Sequence, residues 1–232
     1  MPRRLELYKQ VQLAARAVLE EIPGHITQDS TEESIAATCV KLLANHGIGD
    51  TWYYSAPAFV LLGSRSCLSI SGRDYVAAAE PVGQINLVTI DLSPLLGTTW
   101  GDLARSFAVE SGSVTDKPID TELTAGLSAE RSLHSAFLEL VRPESTFEDV
   151  FEAMNREIAT LGFVNLDFMG NVGHSIVERR EDRIYFESGS RRPLSDVGYF
   201  TFEPHIRKSD GRWGFKHENI YYFDEDGRIC EL

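Results

Sequence analysis

The sequence predicts an α+β protein in which helices cover one face of a curved, mostly antiparallel sheet. Helical and extended patterns come in blocks: two helices, a set of strands, two more helices and a final set of strands. The extended segments are short and lie between glycine, proline and polar turn residues, as in antiparallel sheets. A chain of 232 residues can also bury a substantial core. Together these observations favour the α+β class.

The first block predicts two amphipathic helices. Residues 4–22 carry apolar side chains at helical spacing, and Pro23-Gly24 ends this helix. Ser30-Thr31-Glu32-Glu33 resembles a capping box, in which a hydroxyl and a carboxylate satisfy free amides at the start of a second helix. Gly47 is a natural C-terminal stop for that helix. Both helices are interpreted as scaffold.

Short strands follow, and two of them carry aspartates. Extended segments are predicted at 58–62 and 67–71, each ending at a glycine. A third runs through 87–92 and contains Asp91; after a turn, the chain returns through Asp102 to about residue 109. Antiparallel strands joined in this way can bring both carboxylates to the same end of the hairpin. Two close carboxylates repel each other and are costly to bury unless protons or cations neutralise them. The pair is therefore interpreted as half of a metal site, the alternative being two exposed hairpin carboxylates.

The second half of the chain repeats the order of helices and strands. Helices are predicted over 123–141 and from a capping box at Ser145 and Glu148 to Leu161-Gly162. The remaining predictions are strands at 163–168, 198–204 and 218–223, a glycine-flanked extended segment at 170–176, a charged hairpin at 177–187 and a polar loop at 188–193.

Composition excludes some classes of partner. The net charge of −13 disfavours binding to nucleic acid or to an anionic membrane, and it suits cations, although acidity by itself mainly serves solubility. No apolar run reaches the ~20 residues of a membrane span, and the N-terminus lacks a secretory signal. The three cysteines fit neither a disulfide framework nor a zinc site. A cytoplasmic location is expected.

Three further polar residues lie in or beside strongly apolar sequence of the last third. His174 follows a glycine, Glu203 ends an apolar run before a proline, and Glu218 opens another apolar run. An unpaired charge at such positions would be expensive. Taken singly, each has an ordinary alternative, which is a hydrogen-bonded structural histidine or a solvated carboxylate at a strand end.

Taken together, the five residues occur in the order Asp-Asp-His-Glu-Glu. This order and the local sequences resemble the M24 metallopeptidases, a family that includes methionine aminopeptidases, Xaa-Pro aminopeptidases and prolidases. The matching stretches are residues 90–93, 101–105, 173–176, 202–204 and 217–219. The step from Asp91 to Asp102 and the two helix pairs also fit the family, so the resemblance covers nearly the whole chain. It implies the pita-bread fold and a single catalytic domain, 1–232, without the extra N-terminal domain of longer members.

The resemblance also implies a role for each residue. Asp91 would bind one metal ion, Asp102 and Glu218 would bridge two ions, and His174 and Glu203 would complete the shell of the other. Four carboxylates and one imidazole provide about −4 of charge, which two divalent ions would neutralise. The donor set suits Mn²⁺, Fe²⁺, Co²⁺ or Zn²⁺ without choosing among them. Glu203 could also take part in proton transfer at a metal-activated water.

The sequence departs from the family at two histidines. M24 peptidases usually carry one on the strand before the first aspartate and one shortly after the Gly-His segment, but 66–79 and 177–183 contain neither. His205 is the predicted replacement in catalysis, with a structural hydrogen bond as its alternative. His217 is expected to face away from Glu218, because successive strand residues point to opposite faces.

Other side chains leave two interpretations open. Three arginines at 179, 180 and 183 could meet an acidic substrate, but an exposed charged hairpin is favoured. The aromatic residues at 52–54 could wall the pocket, but a core or rim cluster is favoured.

Three functions remain open on this evidence. The first is a metal-dependent hydrolase that cleaves an amide bond of a peptide or peptide-like small molecule with a dinuclear-metal-activated water. The second is a metal-dependent enzyme of another kind, performing a lyase, dehydration or oxidative step on a small molecule in a biosynthetic pathway. The third is a non-catalytic binding module, which the complete ligand set disfavours. Whether the chain forms a homodimer is open.

Overall fold

The computed structural model describes residues 2–232, with side chains from Arg4 onward. The four α-helices are α1 (Pro2–Glu21), α2 (Glu32–Asn45), α3 (Thr121–Leu140) and α4 (Phe147–Thr160). The strands are β1 (Asp50–Thr51), β2 (Ala58–Leu62), β3 (Ile85–Leu92), β4 (Pro94–Leu96), β5 (Thr99–Trp100), β6 (Leu103–Glu110), β7 (Ser113–Val114), β8 (Phe163–Asn165), β9 (Ser175–Ile176), β10 (Tyr199–Phe202), β11 (His205–Lys208), β12 (Gly214–Lys216), β13 (Asn219–Phe223) and β14 (Ile229–Glu231). Among the described residues, no helix is both long and apolar enough to cross a bilayer.

Capping boxes start α2 and α4, one residue later than predicted in both cases. Thr31 caps α2 by accepting from the backbone N–H of Ser34, whose hydroxyl in turn accepts from the backbone N–H of Thr31. Thr146 and Asp149 form the same reciprocal pair at α4. A capping box needs a hydroxyl and its partner three residues apart, and in both places this spacing is also met one residue later.

All strand pairs in residues 2–232 are antiparallel, which confirms the predicted α+β class. They form four small sheets, with strand orders β1-β4-β5, β2-β3-β6-β7, β8-β11-β12 and β9-β10-β13-β14. The predicted strand at 67–71 is wrong. The chain instead forms a 3-10 turn at Gly63–Cys67, in which the Ser66 hydroxyl donates to the Gly63 carbonyl at 2.6 Å. Such local side-chain bonds compete with strand pairing.

The charged segment at 177–187 is a loop rather than the predicted hairpin. It contains a 3-10 turn at Arg180–Asp182, and an isolated bridge pairs Tyr185 with His174. The side chain of Arg179 reaches back to both oxygens of Asp182, at 2.7 and 3.0 Å. This chelate closes a tight local turn, so the two halves of the segment do not pair along their length.

The β3–β6 hairpin lies between two hydrophobic cores. Val88 and Ile90 on β3 belong to the core formed with α1 and α2, whereas Leu87 belongs to the core formed with α3, α4 and the C-terminal strands. This division follows from the alternation of side chains along a strand. The hairpin is thus anchored on both faces, and its Asp91 end is left to line a cavity between the two halves.

Two glycines allow close approaches that fix the strand leading to Glu218. A Cβ atom at Gly126 in α3 would lie 2.1 Å from the ring of Phe215, and one at Gly214 would lie 2.3 Å from the Ser66 carbonyl oxygen. Any side chain at either position would push β12 away from its neighbours. Glycine here therefore determines where the segment that carries Glu218 can lie.

Candidate metal centre

Backbone pairing around Ala104 places three of the five predicted ligands on one face. Asp91 lies directly opposite Ala104 in the β3–β6 register, and the backbone N–H of Glu218 donates to the Ala104 carbonyl at 3.0 Å. Residues directly opposite each other in an antiparallel pair point to the same side. Asp102, two residues before Ala104, shares that side by alternation. The small Ala104 side chain forms part of the cavity floor beneath them.

Gln12 on α1 holds the backbone of Asp102. Its side-chain Nε2 donates to the Asp102 carbonyl at 2.6 Å, and the Asp102 N–H donates to Gln12 Oε1 at 3.1 Å. Both residues are buried. Gly101 leaves room for this contact, since a Cβ there would lie 2.5 Å from Gln12 Oε1. Gln12 could not be predicted from the sequence, because a glutamine in an amphipathic helix carries no signal of a contact ninety residues away in the chain.

A strained glycine and a threonine position His174. Gly173 has a φ of 147°, and a Cβ there would lie 2.5 Å from the Thr201 carbonyl oxygen. The next residue, His174, donates its backbone N–H to Thr201 Oγ1 at 2.9 Å, and the Thr201 N–H donates to the His174 carbonyl at 2.8 Å. The segment can adopt this path against β10 only with glycine before the histidine.

The hydrogen bonds of the His174 ring fix its tautomer. Nδ1 lies 3.1 Å from the Ser175 carbonyl oxygen, which can only accept, so Nδ1 carries the proton. Nε2 is left with its lone pair directed at the carboxylates, 3.6 Å from Asp102 Oδ2 and 3.5 Å from Glu203 Oε1. This is the state in which an imidazole binds a metal ion.

Glu203 enters the same cluster from the end of β10. Its backbone N–H donates to the Val172 carbonyl at 2.9 Å, and Thr201 Oγ1 donates to Glu203 Oε1 at 3.2 Å. The structure thus brings the five predicted residues together: four of them line one cavity, and Glu218 is buried beside Asp102 and His174.

The donor atoms of the cluster fit a divalent cation. One ligand atom each of Asp102, His174 and Glu218 lies within 4.8 Å of the others. Glu218 is fully buried, and neither of its carboxylate oxygens has a hydrogen-bond partner. A buried carboxylate without partners is costly, and a cation between these donors would remove that cost.

Lys216 also lies in the cluster, and the sequence analysis missed it. Its Nζ atom is 2.6 Å from Asp91 Oδ2, 3.1 Å from Glu203 Oε2 and 3.9 Å from Glu218 Oε2. The ammonium therefore occupies the Asp91 side of the centre, next to the Asp102, His174 and Glu218 donors. One signal was available: Lys216 is two residues before Glu218 in an extended segment, so the two side chains share a face.

Burial and mutual repulsion perturb the carboxylates. Burial, reinforced by the neighbouring acids, raises the pKa of Asp102 and of Glu218 well above the ordinary value. Burial would also raise the pKa of Glu203, but the charge of Lys216 outweighs it and lowers that pKa. Burial lowers the pKa of His174 to about 4, so the ring is neutral. A cluster in which several acids resist ionisation is one that a bound cation would relieve.

The centre opens into a cavity of about 600 Å³. Its apolar wall is formed by Trp52, Tyr53, Phe59, Leu61, Leu68 and Ile70. Both interpretations of the aromatic segment hold, because Trp52 and Tyr53 line the cavity and Trp52, Tyr53 and Tyr54 also form an aromatic cluster. Asp167 is a further lining carboxylate that the sequence did not indicate. Burial and the charge of Glu203 raise its pKa to about 6, and Ser69 Oγ donates to it at 3.2 Å.

The predictions for His205 and His217 have different outcomes. His205 lines the cavity, and its Nε2 donates to the Ser66 carbonyl at 2.6 Å, while burial lowers its pKa to about 4. His217 packs against His134, with ring centroids 4.2 Å apart, and is not among the residues that line the cavity. His217 faces away from Glu218, as strand alternation predicted.

The arginines of the charged loop differ in their exposure. Arg179 is exposed and paired with Asp182, as expected for a charged surface segment. Arg183 is half-buried and lines the cavity, so the interpretation of the whole segment as exposed is wrong for this residue. The 3-10 turn at Arg180–Asp182 reverses the chain and directs Arg183 inward.

Comparisons with known proteins agree with this geometry. The model of metallopeptidase family M24 matches residues 6–225. A comparison with curated proteins finds no match.

Among solved structures, the X-Pro aminopeptidase from Thermotoga maritima MSB8 matches with a TM-score of 0.82 and 19% identity, over 100% of this chain and 61% of that chain. The prolidase from Pyrococcus furiosus matches with a TM-score of 0.76 and 19% identity, over 100% and 64%. The dipeptidase PepE from Mycobacterium ulcerans matches with a TM-score of 0.78 and 20% identity, over 100% and 58%. These similarities confirm the pita-bread fold. The chain spans about three fifths of the length of these structures.

Proposed function

Because the chain belongs to metallopeptidase family M24, we propose that it is a metal-dependent hydrolase that cleaves an amide bond of a peptide or peptide-like small molecule. The observation that carries the proposal is the convergence of four carboxylates and one neutral imidazole in a single cluster, with both oxygens of Glu218 buried and without a hydrogen-bond partner. Such a donor set has no evident structural purpose without a cation, since it costs stability when left unfilled.

The five residues would hold two divalent ions. Asp91 would bind one ion, Asp102 and Glu218 would bridge both, and His174 and Glu203 would be direct ligands of the other ion. Mn²⁺, Fe²⁺, Co²⁺ and Zn²⁺ all suit this mixture of oxygen and nitrogen ligands. When bound, such ions lower the pKa of a water molecule and polarise the scissile carbonyl. On the Asp91 side, the ammonium of Lys216 would have to withdraw before an ion could bind.

Two residues of the chain are proposed to handle protons and position the substrate. Glu203 is ionised beside Lys216, so its carboxylate would be available to accept a proton from the attacking water. His205 keeps one proton on Nε2 in its bond to Ser66, which fixes the ring at the cavity wall. Its Nδ1 atom is then the one that can accept a hydrogen bond from the substrate.

One observation favours a second function. His174 and His205 are the only imidazoles among the residues that line the cavity, so the two further histidines typical of M24 peptidases have no counterpart there. General acid–base groups are typically worth ~10²–10⁴ in rate. A metal-dependent lyase, dehydration or oxidative step on a biosynthetic small molecule would make different demands on proton transfer. In either case a reducing cytoplasm suits a chain whose cysteines, Cys39, Cys67 and Cys230, are all free thiols.

A peptide library tests the first function against the second. We expect protein reconstituted with Mn²⁺ or Co²⁺ to release the N-terminal residue from some dipeptides or tripeptides, and chelated protein to release none. A fully metallated protein that leaves the whole library intact would overturn the peptidase proposal and favour the second function.

Metal analysis tests the ligand assignment separately. Asp102→Ala should lose bound metal while it keeps the far-UV circular dichroism of the fold. The matched control is Asp226→Asn, which changes an exposed aspartate paired with Arg228 and should bind metal normally. Unchanged metal content in Asp102→Ala would refute the assignment.

A further inference from the structure

A second cavity, the edge cavity, lies beside one edge of β6. On that edge β6 pairs with β7 from residue 109 onward, and Ala104 bridges to Glu218. No strand of the described residues pairs with 105–107 between these two points. The space beside them is a cavity of about 320 Å³, which α3 closes on one side. Its polar lining residues, none of which lines the cavity of the metal centre, are Arg105, Ser106, Thr115, Asp116, Glu130, Arg131 and His217.

Arg105 is held in the wall of the edge cavity by uncharged groups. Its Nη1 donates to the carbonyls of Ala104 and Glu218, both at 2.7 Å, and its Nη2 donates to Asn219 Oδ1 at 2.7 Å. These three acceptors fix the plane of the guanidinium but carry no charge that would neutralise it. Within residues 4–232, Arg105 forms no ion pair with a carboxylate. A fixed positive charge is therefore left at the edge of β6.

Arg131 provides a second positive charge at the same cavity. It projects from α3, is exposed, and forms neither an ion pair nor a side-chain hydrogen bond with any described residue. The charges of Arg105 and Arg131 both act to lower the pKa of Glu130, so both guanidinium groups lie within electrostatic range of that carboxyl. In a chain of net charge −13, two arginines without a carboxylate partner around one cavity are a specific feature.

Two further side chains present free hydrogen-bonding atoms. Burial raises the pKa of Glu130 to about 8, so the carboxyl carries a proton near neutral pH, and only its Oε1 is used, by Ser106 Oγ at 2.7 Å. The ring of His217 packs on His134 at 4.2 Å between centroids, and its nitrogens have no partner among the described residues. A carboxylic acid and an imidazole can each donate one hydrogen bond to a ligand.

We propose that the edge cavity binds a small oxyanion, a carboxylate or a phosphate group, between Arg105 and Arg131. A guanidinium binds either group through paired N–H donors. Asp116 also lines the cavity, but its side chain is exposed, and the two guanidinium groups outweigh its charge. A cation is disfavoured for the same reason. This site is separate from the metal centre, so the proposal does not depend on the proposed function.

Nuclear magnetic resonance of the histidine rings tests the proposal without requiring turnover. The protein carries ¹⁵N-labelled histidine and is loaded with Zn²⁺, which is diamagnetic. It is titrated with sodium sulfate and, separately, with sodium acetate, while sodium chloride keeps the ionic strength constant. Sulfate stands for phosphate, because zinc phosphate is insoluble. The chain has six histidines, and His217→Gln identifies the signal of His217.

We expect a saturable shift of the His217 signal with at least one of the two anions, half complete at about millimolar concentration. A response to sulfate alone would identify a site for a tetrahedral anion such as phosphate, and a response to acetate alone would identify a carboxylate site. Both results support the proposal, because each places an oxyanion beside His217.

Variants assign the shift to the edge cavity. Arg131→Met should raise the half-saturating concentration about tenfold or more, since it removes a charge-assisted hydrogen bond. Its exposed position on α3 makes a loss of fold unexpected. Arg156→Met, on the surface of α4 and paired with Glu152, controls for the loss of one positive charge and should leave the titration unchanged. Arg183→Met alters the metal cavity instead and should also leave it unchanged. Zinc content and melting temperature are measured for each variant.

Three results would overturn the proposal. The first is a His217 signal that does not respond to either anion up to about 0.1 M, a concentration far above the expected half-saturation. The second is an unchanged titration in Arg131→Met. The third is a shift that Arg183→Met removes, because the anion would then lie in the metal cavity.

Discussion

Gln12 shows how one buried amide can support a charged ligand. Its two polar atoms satisfy both the N–H and the carbonyl of Asp102, so the aspartate backbone is held from α1. The side-chain carboxylate of Asp102 takes no part in these two bonds. A side chain that makes two such bonds fixes position and direction together, which metal ligands require.

Gln12→Leu should therefore weaken both the fold and the centre. Two buried backbone groups of Asp102 would lose their partners, which we expect to cost about 2–4 kcal/mol of unfolding free energy. Metal affinity should fall as well, because the carboxylate is no longer held in place. Urea unfolding and metal titration measure the two effects, and Gln10→Leu, at an exposed position of the same helix, is the control. Unchanged metal affinity would show that Gln12 serves the fold alone.

Glu130 is not one of the proposed metal ligands, but it should make the stability of the fold depend on pH. Burial raises its pKa to about 8, although Ser106 donates to it at 2.7 Å. The folded state then holds a proton that the unfolded state releases near its ordinary pKa, so stability falls as pH rises between these values. From about pH 6 to about pH 9, this loss should be about 3 kcal/mol.

Glu130→Gln should remove that loss, because an amide does not titrate. We expect unfolding curves of the variant to change less than those of the parent protein over this pH range. Glu139→Gln, at an exposed position of the same helix, should behave like the parent. Parallel pH profiles for the parent and Glu130→Gln would contradict the prediction.

At the scale of elements, the centre depends on where strands meet. β3, β6 and the segment before β13 come together at Ala104, which joins Asp91 on one side and Glu218 on the other through backbone pairing. No loop positions these two carboxylates. The ligands are thus as well ordered as the sheet, and any larger side chain at the junction would project into the cavity floor.

Ala104→Val should weaken metal binding while the fold stays intact. The added methyl groups would enter the space between the ligands, and overpacking of this kind typically costs about 1–3 kcal/mol. We expect metal affinity to fall about tenfold or more while circular dichroism remains native. Ala104→Gly keeps the space and should retain metal binding. Normal metal affinity in the valine variant would mean that the ions do not lie over Ala104.

At the scale of the whole molecule, the proposed metal ligands come from both halves of the chain. Asp91 and Asp102 lie on the hairpin between the two cores, whereas His174 and Glu203 belong to the strands packed with α3 and α4. A metal ion that binds only the folded arrangement therefore links the two halves and stabilises them together.

Metal should accordingly raise the melting temperature in a concentration-dependent way. At a hundredfold excess over the Kd, the expected gain is about 2.7 kcal/mol, or about 5–10 °C for a chain of this size. Differential scanning calorimetry of chelated and Mn²⁺-loaded protein measures the shift. Asp102→Ala should lose it, and a shift of equal size in that variant would place the stabilising ion elsewhere.

The distinction between local patterns and tertiary contacts decides which features could be predicted from the sequence. The five proposed ligands could be predicted because their order and local sequences resemble the M24 family; position beside apolar sequence alone left each with an ordinary alternative. The role of Gln12 could not be predicted, since it depends on a residue brought close only by the tertiary fold. The capping boxes were placed within one residue, because their spacing is a local property.

Lys216 has a consequence for how the protein acquires its metal. Converging carboxylates oppose folding when no cation is present, but the lysine ammonium lies 2.6 Å from Asp91 and 3.1 Å from Glu203 and offsets part of that repulsion. The flexible lysine stem lets the charge withdraw when a divalent ion arrives. Lys216 thus supplies a positive charge among the carboxylates before any metal ion binds. The newly made chain can therefore fold first and bind ions afterwards.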